Sequence, residues 1–379
     1  MSNNSLNIQM VDLKSQYLHI KNDVDKAISK VIHSSQFING DEVKSFQKEL
    51  ASYMDVKHVI TCGNGTDALQ ISMMALGLKS GDEVITPSFT YIATTEVIGL
   101  LGLKPVFVDC DLDTFNISPK AIEKAITKKT KAIVPVHLFG QSCDMETIMK
   151  IAKENNLFVI EDNAQAIGCD YNGFEKLQKT GTIGNIGCTS FFPSKNLGCY
   201  GDGGAIMTND DELALKIRMI ANHGQSKKYH HDRVGCNSRL DNIQAAVLRI
   251  KLKQLDQYIL NRQKAANFYN NQFADLNGLI VPTVSNYTNH VFHQYTLKLE
   301  DNIDRVDLMS FLKDKNIPSM IYYPIPAHKQ KMFAEIPVSC GDMTNTDWLC
   351  SRVMSLPMHT ELSFEQQDYI INNIKTYLN

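Results

Sequence analysis

Three short stretches of this 379-residue chain carry side chains whose types and setting can do chemistry. In SFFPSKNLGCYGDGG, Lys195 follows Pro193 in a turn, and Gly198, Gly201, Gly203 and Gly204 wrap the loop back into the apolar run GAIMT. Partial burial lowers an amine's pKa toward that of a usable nucleophile, so Lys195 is a candidate Schiff-base former. A solvated loop charge is the plainer alternative. In LFVIEDNAQ, Asp162 ends an apolar run. Desolvating a carboxylate without a partner is costly, so Asp162 calls for a cation. A protonated pyridinium nitrogen would serve, and the carboxylate would keep that nitrogen protonated, which makes the ring an electron sink. The alternative is a helix N-cap. In CGNGTDALQISMMAL, Gly63 and Gly65 allow a tight turn into a helix, whose first N–H groups and the Thr66 hydroxyl can hold a phosphate.

Other chemistries fit less well. Gly63-x-Gly65-x-x-Ala68 satisfies a relaxed dinucleotide fingerprint, as in a nicotinamide-dependent dehydrogenase. That fingerprint needs an acid at the far end of the next strand, whereas Asp82 and Glu83 precede the run VITP. The pairs His230/His231 and His290/His293 lack H-E-x-x-H spacing and a nearby ligand set, so no metal is expected. Nine cysteines without a C-x-x-C pair suit neither a disulfide framework nor a zinc site and read as buried, reduced residues. With a net charge of -3 and no basic stripe, neither nucleic acid nor a membrane surface is an expected partner. No secretory leader or spanning apolar run is evident, so a cytoplasmic location is expected.

The elements that must position these residues alternate from about 58 to 210. The runs HVITC, EVITP, PVFVD, AIVPV, LFVIED, GCTSFF and GAIMT are separated by segments of helical period. Strands apolar on both faces with crossover helices between them predict an α/β fold with a mostly parallel central sheet and helices on both faces. The site belongs beyond the carboxyl ends of those strands. A helix through Leu213, Ile217 and Ile220 stops at Gly224, and a longer one begins near Asp241 and runs through Ile243, Val247, Ile250 and Leu255. Beyond 262, VFHQYTLKL, a helix around Val306 to Lys313 and SMIYYP predict a smaller C-terminal α+β domain. The expected division is an N-terminal segment 1–36 packed on the main body, a large domain 37–261 and a small domain 262–379.

The ordered set GNGTDAL, PSFTYIAT, IEDNAQAIG, SFFPSKNLGCYGDGG and GCNSRLDNIQAA, with VDLKSQY before it and YYPIPAHKQ after it, closely resembles the DegT/DnrJ/EryC1/StrS sugar aminotransferases across nearly the whole chain. The resemblance implies a fold-type I aminotransferase dependent on pyridoxal 5'-phosphate, with the pyridoxamine form in its cycle. By this resemblance Lys195 carries the cofactor as a Schiff base and Asp162 partners its pyridine nitrogen. Gln165 contacts the ring hydroxyl, Tyr91 stacks on the ring, and Gly65, Thr66 and Ser190 hold the phosphate. Asn237 reaches the phosphate of a neighbouring subunit, which implies a homodimer with sites at the interface. Cys236 departs from the tyrosine common before that asparagine. Arg239, His230, His231, Tyr323 and His328 match regions lining the sugar site. The implied reaction passes an amino group from L-glutamate to a nucleotide-linked keto sugar for glycan biosynthesis. The stretch KKYHHDRVGCNSRLDNIQAAVL looks most like members acting on a 3-keto sugar, such as a UDP-3-oxo-glucuronate derivative, with C4 amination of a UDP- or dTDP-4-keto-6-deoxy sugar as the alternative. Dehydratase relatives replace the lysine with histidine, which Lys195 argues against.

Overall fold

The structure, a computed structural model, describes residues 6–378. The apolar runs form β1 (His58–Cys62), β2 (Glu83–Pro87), β3 (Lys104–Val108), β4 (Thr130–Ile133), β5 (Phe158–Asp162), β6 (Ile186–Ser190) and β7 (Gly204–Thr208). Further on come β8 (Leu279–Ile280), β9 (Tyr295–Leu299), β10 (Ser339–Cys340) and β11 (Val353–Leu356). The large sheet has the order β1-β7-β6-β5-β4-β2-β3-β10. Its pairings are parallel from β6 to β10, and β7 runs antiparallel to both of its neighbours.

Successive strand residues point to opposite faces, and both faces are buried. Ile60, Val84, Ala132, Ile160 and Ile206 pack against the helices Gly65–Ala75, Ala93–Leu100 and Asp211–Ala221. Val59, Ala205 and Met207 face the other way, onto Phe46 and Leu50 of the helix Asp41–Met54 and Leu248 of the helix Asn242–Leu252. On the same side Ile85, Ile133 and Val159 meet Ile122, Ile148 and Ile151 of the helices Pro119–Ala125 and Met145–Glu154. Burying each of the valine, leucine, isoleucine, methionine and phenylalanine side chains contributes about 1.5–3 kcal/mol, which is why these runs need no polar alternation.

β8, β9 and β11 form a separate antiparallel sheet. Tyr295, Leu297 and Leu299 pack there against Tyr269 and Phe273 of the helix Leu255–Phe273, Leu308 and Leu312 of Arg305–Asp314, and Ile370 and Ile374 of Phe364–Leu378. Two features differ from the sequence pattern. The helix expected from Asp241 is two helices that meet at Lys253 and Gln254, so position 261 falls inside the second one. After 317 the chain crosses back to the large sheet, where β10 pairs with the outer edge of β3. The N-terminal helix Leu13–Ser34 buries Ile20 and Val24 against Val247. Seven of the nine cysteines are buried and all nine are free. No helix among the described residues is long and apolar enough to cross a membrane.

Candidate active site

A cavity of about 780 Å³ opens beyond the carboxyl ends of β1, β5 and β6. Its first wall is the turn from β1 into the helix Gly65–Ala75. The Asn64 side chain caps that helix by accepting from the Asp67 N–H at 2.8 Å. The N–H groups of Gly65 and Thr66 lie in the first turn, where no intrahelical acceptor exists, and both residues line the cavity. A Cβ on Gly65 would stand 2.7 Å from Ser190 Cβ, so glycine is what lets β6 approach the helix end. Ser238 braces the turn from outside: it accepts from the Gly63 N–H at 2.8 Å and donates to Asp67 Oδ2 at 2.6 Å.

The floor is the end of β5, where Glu161 and Asp162 face opposite ways. Glu161 points into the body and accepts from the N–H groups of Gly181, Ile183 and Gly184 at 2.6 to 2.7 Å and from His137 Nε2 at 2.8 Å. His137 Nδ1 accepts from the Cys143 N–H, which fixes the proton on Nε2. Asp162 lines the cavity with 5% exposure. Its Oδ2 accepts from Thr94 Oγ1 at 2.7 Å and its Oδ1 from the Ala164 N–H at 3.1 Å. Gln165 is turned by the Phe139 N–H, which donates to its Oε1 at 2.6 Å, so that Nε2 donates to the Tyr323 hydroxyl at 3.0 Å. Burial pushes the Tyr323 phenol well up. Tyr91, 58% exposed, stands at the mouth with its ring 6.1 Å from that of Tyr323.

Lys195 lies in the loop between β6 and β7, which is held along its length. Phe191 N–H donates to Gly203 O, Cys199 N–H to Phe191 O, and the buried Lys251 ammonium donates to Gly198 O at 2.8 Å. A Cβ on Gly198 would fall 2.3 Å from Pro193 O, so the return is too tight for any other residue. Burial lowers the pKa of Lys195 to about 8, against an opposing attraction from Asp162. His293, also on the wall, is driven far below the usual histidine range by burial and then by the positive charges of Lys195 and Arg262.

The cavity thus gathers Gly65, Thr66, Tyr91, Asp162, Gln165, Ser190, Lys195 and Tyr323 from the residues singled out by sequence. It leaves out the other five. Asn237 is exposed and Arg239 half-buried on the segment after the hairpin Gln225–Lys227/His230–His231, whose histidines are also exposed. None of these four lines the cavity of this chain. His328 is held elsewhere, with Nδ1 2.7 Å from Ser88 Oγ and its ring 6.3 Å from that of Phe107. Thr94 and the apolar wall of Met10, Val11, Leu356 and Met358 were not picked out by sequence reasoning, which weighed His293 only as a metal ligand. A threonine four residues after Thr90 at the start of a helix was the one available signal for Thr94.

The donor set suits a phosphate-bearing pyridine ring. An open helix N-terminus and Ser190 stand at one end, a carboxylate held on both oxygens at the floor, and an amine of lowered basicity between them. Residues 18–375 match the model of the DegT/DnrJ/EryC1/StrS aminotransferase family. The chain is 46% identical over 374 residues to the "Pleiotropic regulatory protein" of Geobacillus stearothermophilus, covering 98% of this chain and 99% of that one. It is 47% identical over 359 residues to the UDP-2-acetamido-2-deoxy-3-oxo-D-glucuronate aminotransferase of Pseudomonas aeruginosa, covering 94% and 96%. Among solved structures, a DegT DnrJ EryC1 StrS aminotransferase from Brucella abortus superposes with a TM-score of 0.93 at 41% identity, covering 98% of this chain and all of that one.

Proposed function

Because this chain belongs to the DegT/DnrJ/EryC1/StrS family and is a pyridoxal-phosphate-dependent aminotransferase, we propose that its cavity aminates C3 of a nucleotide-linked 3-keto sugar with L-glutamate as donor. The observation that carries this reading is the meeting of Lys195, Asp162 and the open helix end at Gly65 in one cavity. The nicotinamide alternative leaves Lys195 and Asp162 without linked roles, and family membership removes it.

In this reading Gly65, Thr66 and Ser190 hold the cofactor phosphate, Asp162 faces the ring nitrogen, Tyr91 covers the ring and Lys195 is the attachment point. Gln165 Nε2 has two hydrogens and gives one to Tyr323, so one is left for the ring hydroxyl. When bound, pyridoxal phosphate supplies an aldehyde that takes up amino groups and a ring that accepts electron density. The protein's part is proton traffic and orientation. An amine with a pKa of about 8 is a base of suitable strength to take a proton from the donor's α-carbon and return one at the sugar carbon. His293, neutral at working pH, can orient a sugar hydroxyl without competing for that proton.

The charges of the cavity support a dimer. Among the described residues Lys195 is the only lysine or arginine lining the cavity, whereas Asp67, Asp162 and Asp202 also line it. A cofactor phosphate and a nucleotide diphosphate need more positive charge than that. We place the missing charge on a second copy, whose half-buried Arg239 supplies it across the interface while its exposed Asn237 adds a neutral hydrogen-bond donor. His230 and His231 belong to the same proposal, and a role for His328, whose Nδ1 is held by Ser88, would fall to its Nε2.

The relative at 47% identity is named for a UDP-linked 3-oxo sugar, and another at 44% for UDP-N-acetyl-3-dehydro-glucosamine, which favours C3 and a UDP-linked substrate. The test supplies UDP- and dTDP-linked 3-keto and 4-keto sugars with L-glutamate and reads 2-oxoglutarate release, with Lys195→Ala as the inactive control. Turnover confined to 4-keto sugars would move the reaction to C4. Turnover of simple keto acids alone would remove the sugar.

A further inference from the structure

We propose that Thr94 is a positioning residue for Asp162, fixing the carboxylate that faces the cofactor ring; the inference rests on the cofactor placement given above. Thr94 lies in the first turn of the helix Ala93–Leu100, 1% exposed, with Oγ1 2.7 Å from Asp162 Oδ2. A hydroxyl has one hydrogen, and an ionised carboxylate only accepts, so that hydrogen is committed to Asp162. Thr90 Oγ1 stands 3.4 Å from Thr94 Oγ1. With the Thr94 hydrogen spent, Thr90 must be the donor in this longer contact. The relay therefore runs one way, from Thr90 through Thr94 to Asp162, and within a buried environment each link polarises the next.

The second oxygen, Oδ1, is held by the Ala164 N–H. One donor on each oxygen pins the terminal torsion of an aspartate, which is otherwise broad. Each oxygen keeps a second lone pair, and the cavity is the side on which Asp162 is open. The Ala164 N–H is main chain and survives substitution there. Thr94 is the only side chain among the described residues that donates to Asp162, so it alone can be removed to free the carboxylate.

Three variants separate this role from packing. T94V keeps the shape and loses the hydroxyl, T94S keeps the hydroxyl and loses a methyl, and T94A loses both. Cofactor-free protein is titrated with pyridoxal phosphate, and two quantities are read: the dissociation constant and the position of the bound cofactor's visible band. T94V and T94A are expected to bind roughly 10- to 100-fold less tightly, the range for losing a hydrogen bond to a charged group, while T94S stays within about threefold. The band is expected to move in T94V and T94A but not in T94S. A packing role predicts the reverse order, with T94V like the unsubstituted protein and T94S impaired, and that order would overturn the proposal. So would T94A matching T94S; these two lack the same methyl and differ in the hydroxyl, so they decide the matter if T94V fails to fold. Should the unsubstituted protein take up no pyridoxal phosphate, the cofactor placement falls first, an outcome distinct from uptake that Thr94 does not influence.

Discussion

Burial and the Asp162 carboxylate pull the proton affinity of Lys195 in opposite directions, and substituting the aspartate should expose that balance in the cofactor-free protein. Lys195 keeps part of its surface open to the cavity, but that opening lies inside the protein, and burial is the leading cause of its fall from 10.5 to about 8, with Asp162 resisting. At pH 7 about one Lys195 side chain in ten is then neutral, against about three in ten thousand for an exposed lysine, a gain of roughly 300-fold in reactive amine. In Asp162→Asn the resisting charge is gone, so the inflection should fall below 8 and Lys195 should become more reactive at neutral pH, even as the variant loses its hold on the cofactor. The assay is site-resolved mass spectrometry of amine acylation from about pH 6 to pH 11, which spans both values, with surface lysines as internal standards. A Lys195 inflection at the ordinary 10.5 would refute the burial argument. An upward move in Asp162→Asn would refute the sign of the coupling. Because the unfolded chain binds more protons between about 8 and 10.5, this lysine also makes the cofactor-free protein more stable as pH rises through that window.

Two other outcomes follow from the same geometry. If Asn237 serves the partner's site, mixing Lys195→Ala with Asn237→Ala subunits should restore activity, because one of the two sites in the mixed dimer is then intact; activity no higher than either parent would place Asn237 in its own subunit's site or in none. His290 and His359 are held down to about 3 and about 4, chiefly by burial. Their contribution is therefore intact above the unfolded value of 6.5 and lost as pH falls through it toward 4 and 3. With His293, likewise held far below its ordinary value by burial, they make three such groups, so the unfolding free energy by urea titration should drop by about 3 kcal/mol between pH 6.5 and 5.5, and His359→Gln should flatten that slope; an unchanged slope would remove His359 as a source.

Much of the large sheet was legible because its strands are buried on both faces and so read as unbroken apolar runs. The edges were less so. The run AIVPV suggests a strand to Val136, yet β4 ends at Ile133, because Pro135 has no N–H to give and Val136 returns only as an isolated bridge to Asp162. The division of a long helix at Lys253 and Gln254 leaves no mark in a periodicity that continues across it. In the site, Asp162, Lys195 and Gly65 were readable since a carboxylate at a strand end, a lysine in a glycine return and a glycine at a helix start are each unusual for their surroundings. Thr94 was not, since a threonine in a helix looks the same whether it faces solvent or a carboxylate. Met10 and Val11 reach the cavity wall through contacts remote in sequence: the following helix docks on Asn242–Leu252, and Met10 O accepts from the Met358 N–H.

The two-residue strand β10 has a consequence for how the protein is made. Its partners on β3 are Val106 and Phe107, so more than two hundred residues must leave the ribosome before that apolar edge is closed. At translation speeds of about 5–20 residues per second, the gap is on the order of 10 to 50 s. For the part of that time after β7 (Gly204–Thr208) has been made, a sheet lacking only β10 presents an unpaired strand to its surroundings, the configuration that recruits chaperones or other nascent chains. That edge is therefore closed only when residues 339 and 340 emerge, late in synthesis.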